Sequence, residues 1–299
     1  MVFSAIIKYV AHHNNGKHEE LGDTHCGRTT FHWGERTYIM GIINASPDSF
    51  AGDGLGNNID AAVARARHMA AEGADIIDVG GESTRPGSTP ISIDEELHRV
   101  IPVLERLTEE IPLPLSIDSY KLAVAQQALD AGACIINDVW GLKQEPRLAK
   151  LAAERKVPLI LMSNQRDVSP QHNVTFPDII SVVISNLQQS MEQALAAGVP
   201  RENIIIDPGL GFGKTQEQNL EIMQRLEELR VLHRPILLAS SRKSIIGRVL
   251  NLPPDQRLEG TMATIAIGIA KGADIVRTHD VKQTTRVCKM SDAIIRGWP

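Results

Sequence analysis

Short runs rich in Ile, Val and Leu alternate with longer amphipathic stretches through most of this chain. The apolar runs fall at residues 38–43, 75–79, 113–117, 134–137, 158–162, 203–206, 235–238 and 273–276. Their length and composition suit strands buried on both faces. Between them, residues 59–72, 93–110, 122–131, 179–197 and 217–229 carry apolar positions at helical spacing. Strand and helix in alternation imply a parallel sheet. Three joints repeat one pattern: Glu72-Gly73-Ala74-Asp75, Ala131-Gly132-Ala133-Cys134 and Lys271-Gly272-Ala273-Asp274. In each, glycine can take the left-handed stop of a helix just before the next strand. Eight such units without a long linker predict an α/β fold, a single-domain (β/α)8 TIM barrel over residues 26–299, with an open doubly wound sheet as the alternative. Residues 1–25 lack clear periodicity and are expected to form a loosely ordered extension.

Composition narrows the class. Of 299 residues, 42% are hydrophobic, 22% charged and only 4% aromatic, a balance suited to an α/β globule and poor for stacking bases. The formal net charge of -5 argues against a broad polyanion surface, so no nucleic-acid partner is expected. A small anion needs only a local basic cluster, because bulk charge is screened beyond about 8 Å. Cys26, Cys134 and Cys288 have no paired spacing, which suggests neither a disulfide framework nor a zinc site and makes a reducing cytoplasm the default. The apolar start from Val2 to Val10 is interrupted by Lys8, too short for a membrane span and without a cleavage signal, so no membrane association is expected.

Barrels of this kind place their chemistry where strands end. The run Asp75-Ile76-Ile77-Asp78-Val79 leads into Gly80-Gly81-Glu82-Ser83-Thr84-Arg85-Pro86-Gly87, where glycines allow close backbone approach and Arg85 offers a planar fork for an anion. The first strand is followed by Asn44-Ala45-Ser46-Pro47-Asp48-Ser49-Phe50 and a glycine-rich loop suited to closing over substrate. Later strands end in Asp118, Asn137-Asp138, Asp207, Ser241-Arg242-Lys243-Ser244 and Arg277-Thr278-His279-Asp280. Asp118 could simply cap a helix, and Asn137-Asp138 could shape a turn. Gly209-Leu210-Gly211-Phe212-Gly213-Lys214 looks like a phosphate loop but lacks the Gly-Lys-Ser/Thr ending in frame. Arg277 and His279, alternate residues leaving a strand, would point the same way and suit an anion. Lys243, Asp118, Asn137 and Asp207 offer the donors and acceptors a flat heterocycle rich in N–H groups requires. One pocket for a nitrogenous ring and an anionic group is therefore expected.

Two stretches, Met40 to Phe50 and Asp78 to Gly87, closely resemble the signatures of dihydropteroate synthases. The likeness continues in family order through Ser116-Ile117-Asp118, Ile135-Ile136-Asn137-Asp138, residues 207–214, residues 241–244 and residues 277–281. It implies a homodimeric barrel that condenses 6-hydroxymethyl-7,8-dihydropterin diphosphate with 4-aminobenzoate to 7,8-dihydropteroate and diphosphate, assisted by Mg2+, and that is a target of sulfonamides. Carried over by residue, it implies that Asp118, Asn137, Met162, Asp207, Phe212 and Lys243 hold the pterin, with Asp118, Lys243, Arg277 and His279 catalytic. Asn44, Arg277 and His279 would hold the diphosphate, with Asn44 also serving the metal. Thr84, Arg85, Pro86 and Ser244 would build the aminobenzoate site, completed by Asp48, Ser49 and Phe50 on a mobile loop. The chain departs from the family pattern at Ser163, where a histidine is common, at Ala239, where glycine is common, and at Ala45-Ser46, where Val-Thr is common. A pterin-binding barrel without catalysis and a methyltetrahydrofolate-dependent methyltransferase are the alternatives.

Overall fold

The computed structural model of the protein describes residues 21–45, 59–83 and 88–298. A short antiparallel hairpin comes first, β1 (Thr24–Cys26) with β2 (Thr29–Phe31). The parallel strands follow: β3 (Tyr38–Asn44), β4 (Ile76–Gly80), β5 (Leu115–Asp118), β6 (Ile135–Asp138), β7 (Leu159–Met162), β8 (Ile204–Asp207), β9 (Leu237–Leu238) and β10 (Ile275–Thr278). They pair in the order β8-β7-β6-β5-β4-β3-β10-β9, eight strands among the described residues. A parallel bridge between Ile206 and Ile236 closes the ring, with Ile206 N–H donating to Pro235 O at 2.9 Å. The sheet is thus the predicted barrel.

Helices α1 (Ile59–Glu72), α2 (Ile93–Glu110), α3 (Leu122–Asp130), α4 (Arg147–Arg155), α5 (Ile179–Ala196) and α6 (Gln216–Gln224) follow β3 to β8 in turn. After β9 come α7 (Ser244–Leu250) and α8 (Leu258–Ala270), and α9 (Val281–Ile295) follows β10. Local chemistry sets their starts. Ser92 caps α2 by accepting Glu95 N–H, ahead of an acidic first turn that suits the helix dipole, and Thr215 and Gln218 form a reciprocal capping box on α6. The three repeated joints hold Gly73, Gly132 and Gly272 at φ 103, 105 and 97, as the sequence pattern predicts.

Residues 217–229 do not form the single helix that periodicity predicts. The chain leaves α-helical geometry at Arg225 (φ -118, ψ 22) and winds as a tighter helix over Leu226–Leu232. Leu226, Leu229 and Leu232 are all buried there, and their spacing of three is the period of that tighter helix. A second difference lies at the start. Thr24 and His25, inside the stretch expected to be loose, belong to β1, and Trp33 Nε1 donates to Thr24 Oγ1 at 2.9 Å. Strands this short leave no periodic signal, and what orders them is tertiary: Phe31, Trp33 and Tyr38 pack as an aromatic group with centroids 5.0–5.4 Å apart.

Alternation along each strand divides the core. Met40, Ile76, Ile135, Ile160, Ile205, Leu237 and Ile275 form one interior cluster with Cys26, Phe31, Trp33 and Tyr38, so the hairpin seals the end of the barrel where strands begin. Their strand neighbours, such as Ile39, Ile77, Ile136, Leu161, Ile206 and Val276, pack outward against the helices.

Candidate active site

Moving two residues along each strand from that interior layer keeps the side chain facing inward and brings it to the rim. The step leads from Ile76 to Asp78, Ile135 to Asn137, Ile160 to Met162, Ile205 to Asp207, Leu237 to Ala239 and Ile275 to Arg277. On β5 the inward positions are Ser116 and Asp118, aligned with Asp78 and Gly80 of β4. An apolar plug therefore supports a polar layer at the strand ends.

The polar layer is wired across the barrel. Arg277 reaches from β10 over β3 to donate from Nε to Asp78 Oδ2 at 2.6 Å and from Nη2 to Asp118 Oδ2 at 2.8 Å. Asn137 Nδ2 donates to the same Asp78 oxygen at 3.2 Å. Asp78 is wholly buried, and its Oδ1, like Asp118 Oδ1 and Ser116 Oγ, has no hydrogen-bond partner among the described residues. Unpaired polar atoms at one inward layer are what a ligand with several N–H groups would satisfy. Burial pushes the Asp118 carboxyl up to about 7, against the pull of Arg277 and with the push of Asp78. Burial also raises Asp207, opposed by Lys243. It lowers the Lys243 ammonium to about 8, opposed by Asp207. Three groups close enough to act on one another and held by burial away from their ordinary values mark a candidate functional site.

Around this layer, Lys243 Nζ donates to Leu210 O at 2.7 Å and lies 4.9 Å from the Phe212 ring centre, with the Arg166 guanidinium 4.3 Å from the same ring. Met162, Phe212 and Val139 form a small apolar cluster flanked by Tyr120 and Trp140. His279 Nδ1 lies 3.0 Å from Ser241 Oγ, which also accepts the His279 backbone N–H at 3.2 Å. Arg277 and His279 thus leave one strand face but take different partners. Asn44 stands half-buried at the end of β3 beside Gly80, and Ser244 is exposed at the first turn of α7. Asp48, Ser49, Phe50, Thr84, Arg85 and Pro86 lie outside the described residues.

Several simpler roles are resolved residue by residue. Asp118 caps no helix; α3 starts after Lys121 without a side-chain cap. Asp138 does shape a turn, accepting the N–H groups of Trp140 at 2.8 Å and Leu142 at 2.6 Å. Gly81, expected to let a ligand approach, instead makes room for α2: a Cβ there would meet Val100 Cγ1 at 2.7 Å and Glu96 Cγ at 3.0 Å. Asp78, which joins Arg277 to Asn137, is a site residue that the strand-end pattern does not reveal. Its signal was an acid in the middle of an otherwise apolar, doubly buried strand.

These features define a barrel of the pterin-binding class: the family described as "Pterin binding enzyme" matches residues 40–279. The chain is 51% identical over 261 residues to the dihydropteroate synthase of Bacillus subtilis, covering 87% of this chain and 90% of that one. It is also 51% identical to the Clostridium beijerinckii dihydropteroate synthase over 271 residues, 90% of this chain and 98% of the relative. A Clostridium difficile dihydropteroate synthase solved in the presence of pteroic acid superposes with TM-score 0.83 at 48% identity, covering 89% of this chain and 99% of that one. The Xanthomonas albilineans dihydropteroate synthase with 4-aminobenzoic acid gives 0.85 at 37% identity, covering 93% and 99%. The chain belongs to the dihydropteroate synthase family.

Proposed function

We infer that this protein condenses 6-hydroxymethyl-7,8-dihydropterin diphosphate with 4-aminobenzoate to give 7,8-dihydropteroate and diphosphate. Membership of the family supports the reaction, and the network joining Arg277, Asp78, Asp118 and Asn137 carries the reading of the site. Asp118, Asn137, Asp207 and Lys243 bind the pterin edge, with Met162 and Phe212 against its faces. Asn44, Arg277 and His279 take the diphosphate, and Arg277 Nη1, which donates to none of the described residues, is the donor that turns to it. Thr84, Arg85, Pro86 and Ser244 are assigned to 4-aminobenzoate, with Asp48, Ser49 and Phe50 completing that site.

The chemistry follows from charge. The bond between the pterin methylene carbon and the bridging oxygen breaks, and diphosphate leaves with the electron pair. Cationic donors aimed at that oxygen stabilise the charge where it develops. The electron-poor methylene is delocalised into the ring and stabilised by the Asp118 carboxylate. The neutral arylamine then adds through its lone pair and gives up a proton to solvent, so no strong base is required. Positioning the two reactants supplies up to about 7–11 kcal/mol of the advantage. Scrambling of isotope between bridging and terminal oxygens of recovered pterin diphosphate is expected for this SN1-like order, and its absence would favour a concerted displacement.

Among the described residues, no group of three His, Cys, Asp or Glu could hold a metal. A single side-chain oxygen, that of half-buried Asn44 at the end of β3, is compatible with Mg2+, since this ion keeps several waters and is held by few protein oxygens together with substrate phosphates. Asn44 would supply the amide oxygen, and the ion when bound would neutralise diphosphate charge. Val249 and Leu250 on α7, Ile267 on α8, and Met290 and Ile294 on α9 are 43–71% exposed, an apolar surface that supports a homodimer through these helices. No helix among the described residues is long and apolar enough to cross a membrane.

A diphosphate-release assay tests the reaction. Release should require both substrates with Mg2+ and match the dihydropteroate formed. Pterin binding without release would instead identify a silent paralogue, and methyl transfer from methyltetrahydrofolate a methyltransferase.

A further inference from the structure

The segment Gly209 to Lys214 looks like a phosphate loop in its glycines and lysine, but three of its N–H groups already have partners inside the protein. Gly209 N–H donates to Asp207 Oδ1 at 2.7 Å, Gly211 N–H to Asn219 Oδ1 at 2.7 Å and Phe212 N–H to Gly209 O at 3.2 Å. An anion cradle needs such groups turned toward the ligand. Here the carbonyls converge instead, and on the motif's own lysine. Lys214 Nζ donates to Ser163 O at 2.7 Å, Gly209 O at 2.8 Å and Phe212 O at 3.2 Å, and the side chain is 1% exposed. Gly209, Gly211 and Gly213 all take positive φ, and a Cβ at Gly209 would collide with the Ser163 carbonyl. Burial pushes the Lys214 pKa down and the Asp207 charge opposes it. Three acceptors on one nitrogen require three N–H donors, which an ammonium has and a neutral amine lacks.

We propose that Lys214 is a positioning residue of the pterin site, its caged ammonium fixing Met162, Asp207 and Phe212 relative to one another. Ser163 directly follows Met162, Gly209 lies two residues beyond Asp207, and Phe212 supplies the third carbonyl itself. Lys243 grips the same loop through Leu210 O. The motif is therefore an inverted phosphate loop, in which backbone oxygens hold an internal cation and so shape a neighbouring slot. This role rests on the pterin assignment above.

The test compares wild type with Lys214→Met and Lys214→Gln, by calorimetric titration with 6-hydroxymethyl-7,8-dihydropterin diphosphate and by steady-state kinetics. Both variants should raise the KM and Kd for pterin diphosphate by about 10- to 100-fold, the effect of misplacing contact groups by up to an ångström. The KM for 4-aminobenzoate at saturating pterin diphosphate should hold. A purely structural role would lower kcat through the folded fraction and leave both KM values in place, which overturns the proposal. Wild type that binds no pterin diphosphate sinks the functional reading itself, whereas tight binding by wild type and variants alike sinks only the role of Lys214. Should neither variant fold, NMR of lysine side-chain carbon and nitrogen in the wild type decides. A buried ammonium at neutral pH whose signals shift when pterin diphosphate binds is expected, and a neutral amine or an unresponsive signal overturns the cage.

Discussion

Replacing Asp78 with alanine should destabilise the protein through Arg277. Asp78 is 0% exposed, and one oxygen takes both Arg277 Nε at 2.6 Å and Asn137 Nδ2 at 3.2 Å. Removing one partner of a buried ion pair costs about 3–5 kcal/mol. Asp118 stays 2.8 Å from Nη2, so the guanidinium keeps one carboxylate and the low end, about 3 kcal/mol, is expected. Asp78→Asn preserves shape and one acceptor and should lose about 1.5–3 kcal/mol, the scale of a charged hydrogen bond. Urea unfolding at neutral pH reads both, with linear extrapolation and a check that the slope is unchanged. Arg277→Met leaves Asp78 and Asp118 without the guanidinium they share, so the double variant Asp78→Ala/Arg277→Met should lose clearly less than the sum of its parts. A loss under about 1 kcal/mol for Asp78→Ala, or strict additivity, would refute the reasoning.

Asp118 has its folded pKa raised from 3.8 to about 7, so between those values the folded state holds a proton that the unfolded state has released. This proton makes stability fall as pH rises through that window, by up to about 1.4 kcal/mol per unit, and Asp118→Asn should remove that share of the slope while the raised carboxyls of Asp138 and Asp207 keep theirs. Lys243 has its folded pKa lowered from 10.5 to about 8, so stability should rise with pH between those values while pterin diphosphate affinity, which needs the ammonium, declines above about 8. Lys243→Met should flatten both profiles, and an unchanged KM profile would remove Lys243 from the pterin site. Trp33→Ala should cost about 3–5 kcal/mol while leaving both KM values alone, because the hairpin packs at the far end of the barrel; a changed KM would contradict that separation. Sulfonamides should raise the apparent KM for 4-aminobenzoate and not that for pterin diphosphate, and a reversed pattern in inhibition kinetics would reject the assignment.

The barrel was legible because two-sided burial writes each strand as an unbroken apolar run, and the rim because polar residues end those runs. Asp118, Asn137, Asp207 and Lys243 could be named from that pattern, and the structure brings them to one end of the ring. Asp78 was harder to assign, since a buried acid is explained only by its partner, and Arg277 stands 199 positions away. Cys26 and Cys134 show the same limit: their sequence separation of 108 hides a thiol-to-carbonyl contact of 3.2 Å. The hairpin, two strands of three residues each, carried too few positions for a period to register. The caged Lys214 was invisible for another reason, because its partners are backbone oxygens that any sequence possesses.

A structure of the protein with 6-hydroxymethyl-7,8-dihydropterin diphosphate and Mg2+ bound tests the central claim most directly. The pterin edge should lie on Asp118, Asn137, Asp207 and Lys243, with the diphosphate toward Asn44, Arg277 and His279. A ligand bound elsewhere, or a diphosphate pointing away from β10, would contradict the account.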